Sequence, residues 1–321
     1  MAGGEARPVA VKNVVCARLS SFSTLVTMRH PFVIVAVFLS LVSSGRSAET
    51  WRPLWNGRDL SGWSTWLARP HASTVLPGEA RDAKGNFTQV LGGGRDPLAV
   101  FTVVDVDGQP AIRISGQVFG ELRTQAAFSN YHLRLQFKWG EKKWAPRDKP
   151  ETPRDSGLLY HVHAESGSEG RTWSRSTELQ IQERDVGDLY AVGSFVFVRS
   201  ALRAGTGKAG ARAIFDYDPR AAWHVFAQVP GAEGRCVKQP DNEKPTGEWN
   251  TIELVCFGED SIHIVNGKVV MRLHRTVRLD TPTPQTVTSG PLILQSEGAE
   301  IFYRAIELRP ITAVPAEWAE R

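Results

Sequence analysis

Three polar side chains at alternating positions are the first residues in this sequence with the types and spacing for chemistry. In the stretch 176–182, Glu178, Gln180 and Gln182 fall on one face of a predicted strand, and apolar residues fall on the other. A carboxylate and two amides on a rigid strand can hydrogen-bond a polar, uncharged ligand such as a sugar. Glu183 begins a run of acids in the turn that follows. The plain alternative is a solvated outer strand.

Two histidines end the preceding predicted strand, 156–163. His161 and His163 share one face of that strand. Because sequential strands are usually sheet neighbours, we expect both histidines to meet Glu178 on one face. A divalent metal held by the two imidazoles and an acid is an alternative that the sequence leaves open. The other alternative is a pair of solvated side chains.

A sugar ligand would also need binding groups from other elements. In the predicted strand 131–139, Gln136 and Lys138 lie on the polar face. Trp173, in a loop rich in Gly and Ser, is a candidate for stacking on a sugar ring. With Gln180 and Gln182 these residues form the predicted substrate-binding set.

The elements that must position these residues are about a dozen short strands separated by turn signals. Asn266-Gly267, for example, predicts a tight hairpin. No amphipathic helix and no internal repeat is found, so the pattern predicts an all-β antiparallel sandwich or jelly roll, one domain over residues 49–311. We expect one strand over 191–198 and a frayed tail after Pro310, with 312–321 outside the domain.

Residues 1–48 have the pattern of a leader with a signal peptide. A basic segment from Met28 precedes the apolar run 32–42, and small residues follow. The run is short for a membrane span, so we expect cleavage after Gly45, Ser47 or Ala48 and no span in the mature chain. Met28 is the expected start, and the protein is expected in the periplasm or outside the cell. An uncleaved anchor is the alternative.

The charge of the mature chain excludes one class of partner. Residues 1–48 hold five basic residues and one acidic residue, and removing them from 38 and 34 leaves 33 of each sign. A neutral chain gives no electrostatic reason to bind nucleic acid.

Cys236 and Cys256 remain after the leader, and an exported chain permits but does not require their pairing. The sequence does not indicate an oligomeric state.

Five blocks of the sequence share a specific order and spacing: 54–63, 155–160, 178–183, 247–254 with 265–268, and 290–295 with 302–306. Together they resemble one known bacterial family, the 3-keto-disaccharide hydrolase domain, formerly of unknown function. The resemblance implies a concanavalin A-like lectin/glucanase jelly roll and an exported carbohydrate-active protein. Two positions depart from the family pattern: His161 stands where many members have Arg, and Glu183 stands where Asp is frequent.

The function that we expect is acid–base chemistry on a 3-keto-glycoside, by elimination and then hydration. A ketone at C3 acidifies the proton at C2, and the enolate needs an electrophile, a cationic side chain or a metal. We expect Glu178 or a histidine to be the base, and Lys138 or a histidine to polarise the ketone.

Two other functions stay open. Glu178, Gln180 and Glu183 repeat the spacing of a laminarinase-type motif with Gln in place of Asp, which would suit a two-carboxylate glycoside hydrolase. On a straight strand at about 3.3 Å per residue, Glu178 and Glu183 lie about 16 Å apart on opposite faces, so a bulge is required. The second is a lectin-like module that binds carbohydrate without catalysis.

Overall fold

The computed structural model describes residues 50–204, 213–278 and 280–320. The predicted leader lies outside these residues. Within them, no helix has the length and apolar character needed to cross a membrane.

The regular secondary structure of the described chain consists of strands, with one 3₁₀ turn at Ser168–Gly170. In chain order the strands are β1 (Arg52–Pro53), β2 (Trp63–Leu67), β3 (Gly92–Gly93), β4 (Phe101–Val106), β5 (Gln109–Ile114), β6 (Gly120–Thr124), β7 (Tyr131–Lys143), β8 (Asp155–Tyr160), β9 (Ser176–Gln182), β10 (Leu189–Val192), β11 (Phe195–Leu202), β12 (Phe215–Tyr217), β13 (Trp223–Ala227), β14 (Arg235–Cys236), β15 (Asn250–Phe257), β16 (Asp260–Val265), β17 (Lys268–Arg278), β18 (Gln285–Val287), β19 (Ile293–Ser296) and β20 (Ala299–Pro310).

In the part of the chain that the structure describes, these strands form two antiparallel sheets. The larger has twelve strands, with the order β12-β11-β17-β16-β15-β7-β20-β5-β4 and with β1, β13 and β18 attached beside it. The smaller has eight strands in the order β14-β10-β9-β8-β19-β6-β2-β3. The predicted all-β sandwich is therefore confirmed.

Alternation of apolar and polar residues decides which face of each strand enters the core. Leu135 and Phe137 of β7 pack in the same buried cluster as Leu179 and Ile181 of β9. Because neighbours along a strand point to opposite faces, the residues between them point away from the core. Glu178 and Lys138 thus lie on the two opposite outer surfaces of the sandwich.

Hydrogen bonds across the core tie β8 to the larger sheet. The Ser156 hydroxyl lies 2.8 Å from the Tyr303 hydroxyl. The Tyr160 hydroxyl lies 2.8 Å from the Ser261 hydroxyl and 3.0 Å from Nε2 of His263. These buried contacts fix the middle of the smaller sheet from its inner side.

The single strand predicted over 191–198 is two strands in different sheets. β10 ends at Val192 in the smaller sheet, and β11 begins at Phe195 in the larger. Between them Gly193 has φ 61°, a left-handed conformation that glycine adopts without steric cost. The chain crosses from one sheet to the other at this turn, which apolar periodicity alone does not reveal.

The C-terminal tail does not fray as expected. Ile311 is buried, and Val314 and Trp318 pack with it on apolar side chains of β15 and β16 that face away from the main core. The Trp318 carbonyl accepts a 2.6 Å hydrogen bond from Arg272. The tail covers apolar surface that the larger sheet would otherwise expose.

The two cysteines of the described chain are not bonded to each other. Both thiols are free and buried. Cys256 belongs to the main core, and Cys236 belongs to a separate cluster with Leu189 and Phe226.

Candidate functional site

The side chains with the most unusual surroundings lie on the outer face of the smaller sheet. Leu159 of β8 is paired with Glu178 of β9, and Gly157 is paired with Gln180. Gln295 of β19 flanks β8 from the other side. A Cβ added to Gly157 would collide with the side-chain oxygens of both Glu178 and Gln295. These two side chains therefore converge over the space that glycine leaves open.

Glu178 is a buried carboxyl without a partner. It is 5% exposed, and among the described residues its carboxyl forms no hydrogen bond and no ion pair. Burial raises the pKa of Glu178 well above its usual value, the charge of Glu297 raises it further, and Arg147 acts in the opposite direction. Glu178 therefore keeps its proton to a higher pH than an exposed glutamate.

One guanidinium holds two further carboxyls beside Glu178. Arg147 forms an ion pair with Asp155 and another, 2.8 Å long, with Glu297. Burial raises the pKa of Asp155 well above its usual value, and it raises the pKa of Glu297 as well. We call Asp155, Glu178, Glu297 and Arg147 the carboxyl cluster. A single cation offsets only one of its three negative charges, which favours protonation of the others.

Two hydrogen-bond acceptors in this region have no donor. Oδ1 of Asp155 and Oε1 of Gln295 are buried and unpaired within the described residues. Buried polar atoms in proteins nearly always have partners. The hydroxyl groups of a sugar are donors that would satisfy both atoms.

Tyr190 completes this face on the next strand. It is paired directly with Glu178 across β9 and β10 and is half-buried. The guanidinium of Arg235 lies 5.7 Å from the centre of the Tyr190 ring. Arg235 is itself held by ion pairs of 2.7 Å to Asp185 and to Asp188. The Tyr190 hydroxyl forms no hydrogen bond in the described part of the chain.

Comparison with known proteins shows to which family this chain is related. A protein-family model described as the 3-keto-alpha-glucoside-1,2-lyase-like domain matches residues 50–309. The chain belongs to this family. Membership places it among proteins with a carbohydrate-related function and confirms the resemblance found in the sequence.

Solved structures with a related fold are distant from this chain. A candidate glycosyl hydrolase from Parabacteroides distasonis is 16% identical, with a TM-score of 0.43, over 84% of this chain and 98% of its own. LamA from Z. galactanivorans, solved with laminaritriose and laminaritetraose, is 11% identical, with a TM-score of 0.37, over 77% and 92%. A carbohydrate-binding module from Bacillus subtilis is 9% identical, with a TM-score of 0.36, over 65% and 91%. No curated protein sequence matches the chain.

Three of the family blocks meet at the carboxyl cluster. Asp155 begins β8, Glu178 lies in β9, and Gln295 lies in β19, three strands that are adjacent in the smaller sheet. Blocks separated by more than a hundred residues thus contribute to one surface.

The histidines do not join Glu178, contrary to our expectation. β8 ends at Tyr160, and His161 has φ 51°, which turns its side chain towards the larger sheet. There Nδ1 of His161 lies 3.0 Å from the Thr276 hydroxyl. Burial, followed by the charge of His163, lowers the pKa of His161 to about 4. His163 donates from Nδ1 to the His161 carbonyl, 2.9 Å away.

The metal site that the sequence left open as an alternative is not formed by these two histidines and Glu178. Across residues 50–204, 213–278 and 280–320, no group of three or more His, Cys, Asp or Glu side chains is arranged to hold a metal ion.

Gln136 and Lys138 do not reach Glu178 either, because they belong to the outer face of the other sheet. Oε1 of Gln136 accepts a 2.9 Å hydrogen bond from Arg304. Lys138 lies 3.2 Å from Asp107. The thickness of the core separates both residues from the carboxyl cluster, so Lys138 cannot polarise a ketone bound there.

Glu183 is held away from Glu178 by other partners. The pairing from Asp155↔Gln182 to Tyr160↔Thr177 is regular, without the bulge that a shared face would require. The Glu183 carboxylate accepts hydrogen bonds from Arg154 and from Thr246, each 2.7 Å long. Burial raises the pKa of Glu183, but these hydrogen bonds outweigh burial, and the pKa is lowered. Glu183 is a charged anchor for the loop before β8.

The remaining predicted binding residues share the surface of Glu178. Oε1 of Gln180 accepts a 2.8 Å hydrogen bond from the amide of Ile181. Gln182 accepts from Arg147 at 3.4 Å and donates to Asp185 at 2.6 Å. Trp173 packs against Leu159 and its neighbours on this face.

A buried carboxylate fastens the loop that carries Trp173. Oε1 of Glu121, on β6, accepts a 2.6 Å hydrogen bond from the Ser174 amide, and Oε2 accepts a 2.9 Å hydrogen bond from the Ser174 hydroxyl. The Trp173 ring also stacks on Phe119, with centroids 5.9 Å apart. The loop therefore has a fixed position beside Glu178.

Sequence reasoning missed Arg147, Asp155, Tyr190, Gln295 and Glu297. Asp155 and Gln295 lay inside the family blocks, so the blocks were a signal that pointed to them. Arg147 comes from a charged, Pro-rich loop, and no local pattern shows that this loop folds over β8.

We expect the variant Glu178→Gln to be more stable than the wild type, by an amount that grows with pH. Below pH 4.5, the ordinary pKa of the side chain, the carboxyl is neutral in both the folded and the unfolded chain. At higher pH the unfolded chain ionises first, which lowers the free energy of unfolding of the wild type, and Gln avoids this loss. Each unit of raised pKa contributes about 1.4 kcal/mol. Urea unfolding at pH 4.5 and pH 8 measures the difference.

Glu183→Gln is the matched control, because its pKa is shifted in the opposite direction. We expect this variant to be less stable than the wild type at pH 8 and to approach it as the pH falls. A stability difference for Glu178→Gln that is equal at the two pH values would contradict the buried, unpartnered carboxyl.

Proposed function

We propose that this chain is an exported enzyme that cleaves the glycosidic bond of 3-keto-glycosides by elimination, followed by hydration. The observation that carries the proposal is Glu178, a buried carboxyl with a raised pKa and no partner, beside the guanidinium of Arg147. Family membership over residues 50–309 supports the same chemistry.

Glu178 is the base in this reaction. A carbonyl at C3 acidifies the C2 proton, and the ionised Glu178 carboxylate removes it to form an enolate. The enolate then collapses: the C3 carbonyl re-forms, a C1–C2 double bond forms, and the bond from C1 to the glycosidic oxygen breaks. A carboxylate with a raised pKa is a stronger base than an exposed one, and this suits the removal of a carbon-bound proton.

Arg147 takes the electrophilic role that we had expected of Lys138 or a histidine. Its positive charge lies within the carboxyl cluster, where partly buried surroundings strengthen electrostatic interactions relative to water. Negative charge that develops on the C3 oxygen is stabilised by this cation. The unpaired oxygens of Asp155 and Gln295 accept hydrogen bonds from the sugar hydroxyls and orient the ring.

We expect the purified protein to release 4-nitrophenol from 4-nitrophenyl 3-keto-glucoside faster than the buffer does. Glu178→Gln should lower kcat by about 10²–10⁴-fold, the range for loss of a general base. Arg147→Lys, which keeps a charge but not the fork of donors, should lower it less. In D₂O, early product should carry deuterium at C2 if elimination occurs.

The same assay separates the other functions. Cleavage of unoxidised 4-nitrophenyl glucosides at a comparable rate would contradict the proposal and favour a two-carboxylate hydrolase. Sugar binding without turnover on any glycoside would favour a lectin-like module. Activity lost in chelator and restored by a divalent cation would add a metal to the reaction.

Gly157→Ala tests the convergence of Glu178 and Gln295 independently of their own chemistry. The added methyl group would displace both side chains, and a displacement of about 1 Å can cost about 10²-fold in rate. We expect a folded protein whose turnover of the 3-keto-glucoside falls by about that factor. Gly93→Ala is the control, because its Cβ would meet only the Thr65 carbonyl oxygen at 3.8 Å. Equal activity in the two variants would contradict the arrangement.

Export is proposed from the sequence of residues 1–48. A protein expressed from Met28 in a bacterial host should appear outside the cytoplasm with a new N-terminus after Gly45, Ser47 or Ala48. N-terminal sequencing checks this, and a cytoplasmic, uncleaved chain would contradict it.

A further inference from the structure

The departing glycosidic oxygen needs a proton during the elimination. When the bond from C1 to the glycosidic oxygen breaks, that oxygen departs as an alkoxide unless a group protonates it. Glu178 holds the C2 proton at that moment, but in an α-glucoside, the anomer in the family description, the C2 proton and the glycosidic oxygen lie on opposite faces of the sugar ring. Glu178 therefore does not reach the departing oxygen, and a second proton-transfer group is needed at this site.

Few side chains on this face can act as that group. Asp155 and Glu297 are both held in ion pairs by Arg147, and in the proposed reaction the free oxygen of Asp155 accepts a hydrogen bond from a sugar hydroxyl. Gln180, Gln182 and Gln295 carry amides, which do not donate protons at neutral pH. Glu183 and both histidines point elsewhere, as described above.

Tyr190 meets the geometric requirements. It lies directly opposite Glu178 on the neighbouring antiparallel strand, and residues in such pairs have Cβ atoms about 4.5–5.5 Å apart. Its ring is half-buried, so the hydroxyl can reach a ligand above the sheet. That hydroxyl forms no hydrogen bond among the described residues, whereas the nearby Arg147 and Arg235 are held in ion pairs.

We propose that Tyr190 is the general acid that protonates the departing glycosidic oxygen. This inference rests on the proposed function, since it assigns a role within that reaction.

The protons balance over one turnover. The Tyr190 O–H bond breaks as the new O–H bond forms on the leaving group, which departs as an alcohol. Glu178 then holds the proton taken from C2, and Tyr190 is a phenolate. Transfer of that proton from Glu178 to Tyr190 restores both groups. Hydration of the C1–C2 double bond follows and consumes one water.

Burial raises the pKa of Tyr190 more than the nearby Arg235 lowers it, so the phenol is protonated at neutral pH and is ready to donate.

The test compares leaving groups of different basicity in Tyr190→Phe. Methyl 3-keto-α-glucoside releases methoxide unless the departing oxygen is protonated, whereas 4-nitrophenolate leaves the corresponding 4-nitrophenyl 3-keto-α-glucoside readily without a proton. We expect kcat for the methyl substrate to fall by about 10²–10³-fold in Tyr190→Phe, and kcat for the 4-nitrophenyl substrate to fall by less than about fivefold. Tyr217→Phe is the matched control, since Tyr217 lies in a separate buried cluster, and it should match the wild type on both substrates.

The outcomes distinguish this role from a structural one. Retained turnover of the 4-nitrophenyl substrate shows that Tyr190→Phe is folded and still has its base. An equal loss on both substrates, or no loss on either, overturns the assignment of Tyr190 while the wild-type activity stands. A wild-type protein that turns over neither 3-keto-glucoside overturns the proposed function itself.

Discussion

The candidate site depends on the contact between one arginine and more carboxyl groups than it can neutralise. Arg147 pairs with Asp155 and Glu297. The charges of Arg147 and Glu297 act on the pKa of Glu178, and the charge of Glu178 acts in turn on the pKa of Asp155. Burying a carboxylate without a full partner is costly, and the usual response is a raised pKa. The cluster is therefore less stable than a neutral replacement would be, and it holds groups that can exchange protons at a pH where exposed carboxyls cannot. Such a cost is typical of sites that act on a substrate.

The fold tolerates this loss of stability because the inner side of the same strands is hydrogen-bonded to the larger sheet. The hydroxyls of Ser156 and Tyr160 are tied across the core to Tyr303, Ser261 and His263. Two loops close the outer face, one holding Arg147 and one fastened through Glu121 to Ser174. The absence of a side chain at Gly157 leaves the space between them. Rigid strands thus hold the reacting groups, and the loops complete the surroundings.

Much of this arrangement could be predicted from the sequence. The alternation in 176–182 was sufficient to place Glu178, Gln180 and Gln182 on the outer face, because the side-chain period of a strand is two wherever the strand lies. The family blocks added Asp155 and Gln295 to the same region. The prediction that His161 lies beside Glu178 was wrong, because His161 itself has φ 51° and its side chain turns towards the other sheet after β8 has ended. The predicted position of Lys138 was also wrong. The alternation of side chains along a strand shows that a residue points away from the core, but it does not show on which of the two outer surfaces that residue lies.

The sequence by itself therefore determined the class of fold, the family and the direction of each strand's polar face, all of which follow from local periodicity and from the order of short blocks. Only the tertiary structure decided which faces belong to the same surface. It placed Arg147, from a loop without periodicity, over Asp155, Glu178 and Glu297. It also set Tyr190 beside Glu178, through a strand pairing that no local pattern specifies. The reason is physical: the pKa values and partners of buried charged groups depend on whatever other segments are packed against them. Those segments here are separated by up to 150 residues of chain, as in the pair formed by Arg147 and Glu297.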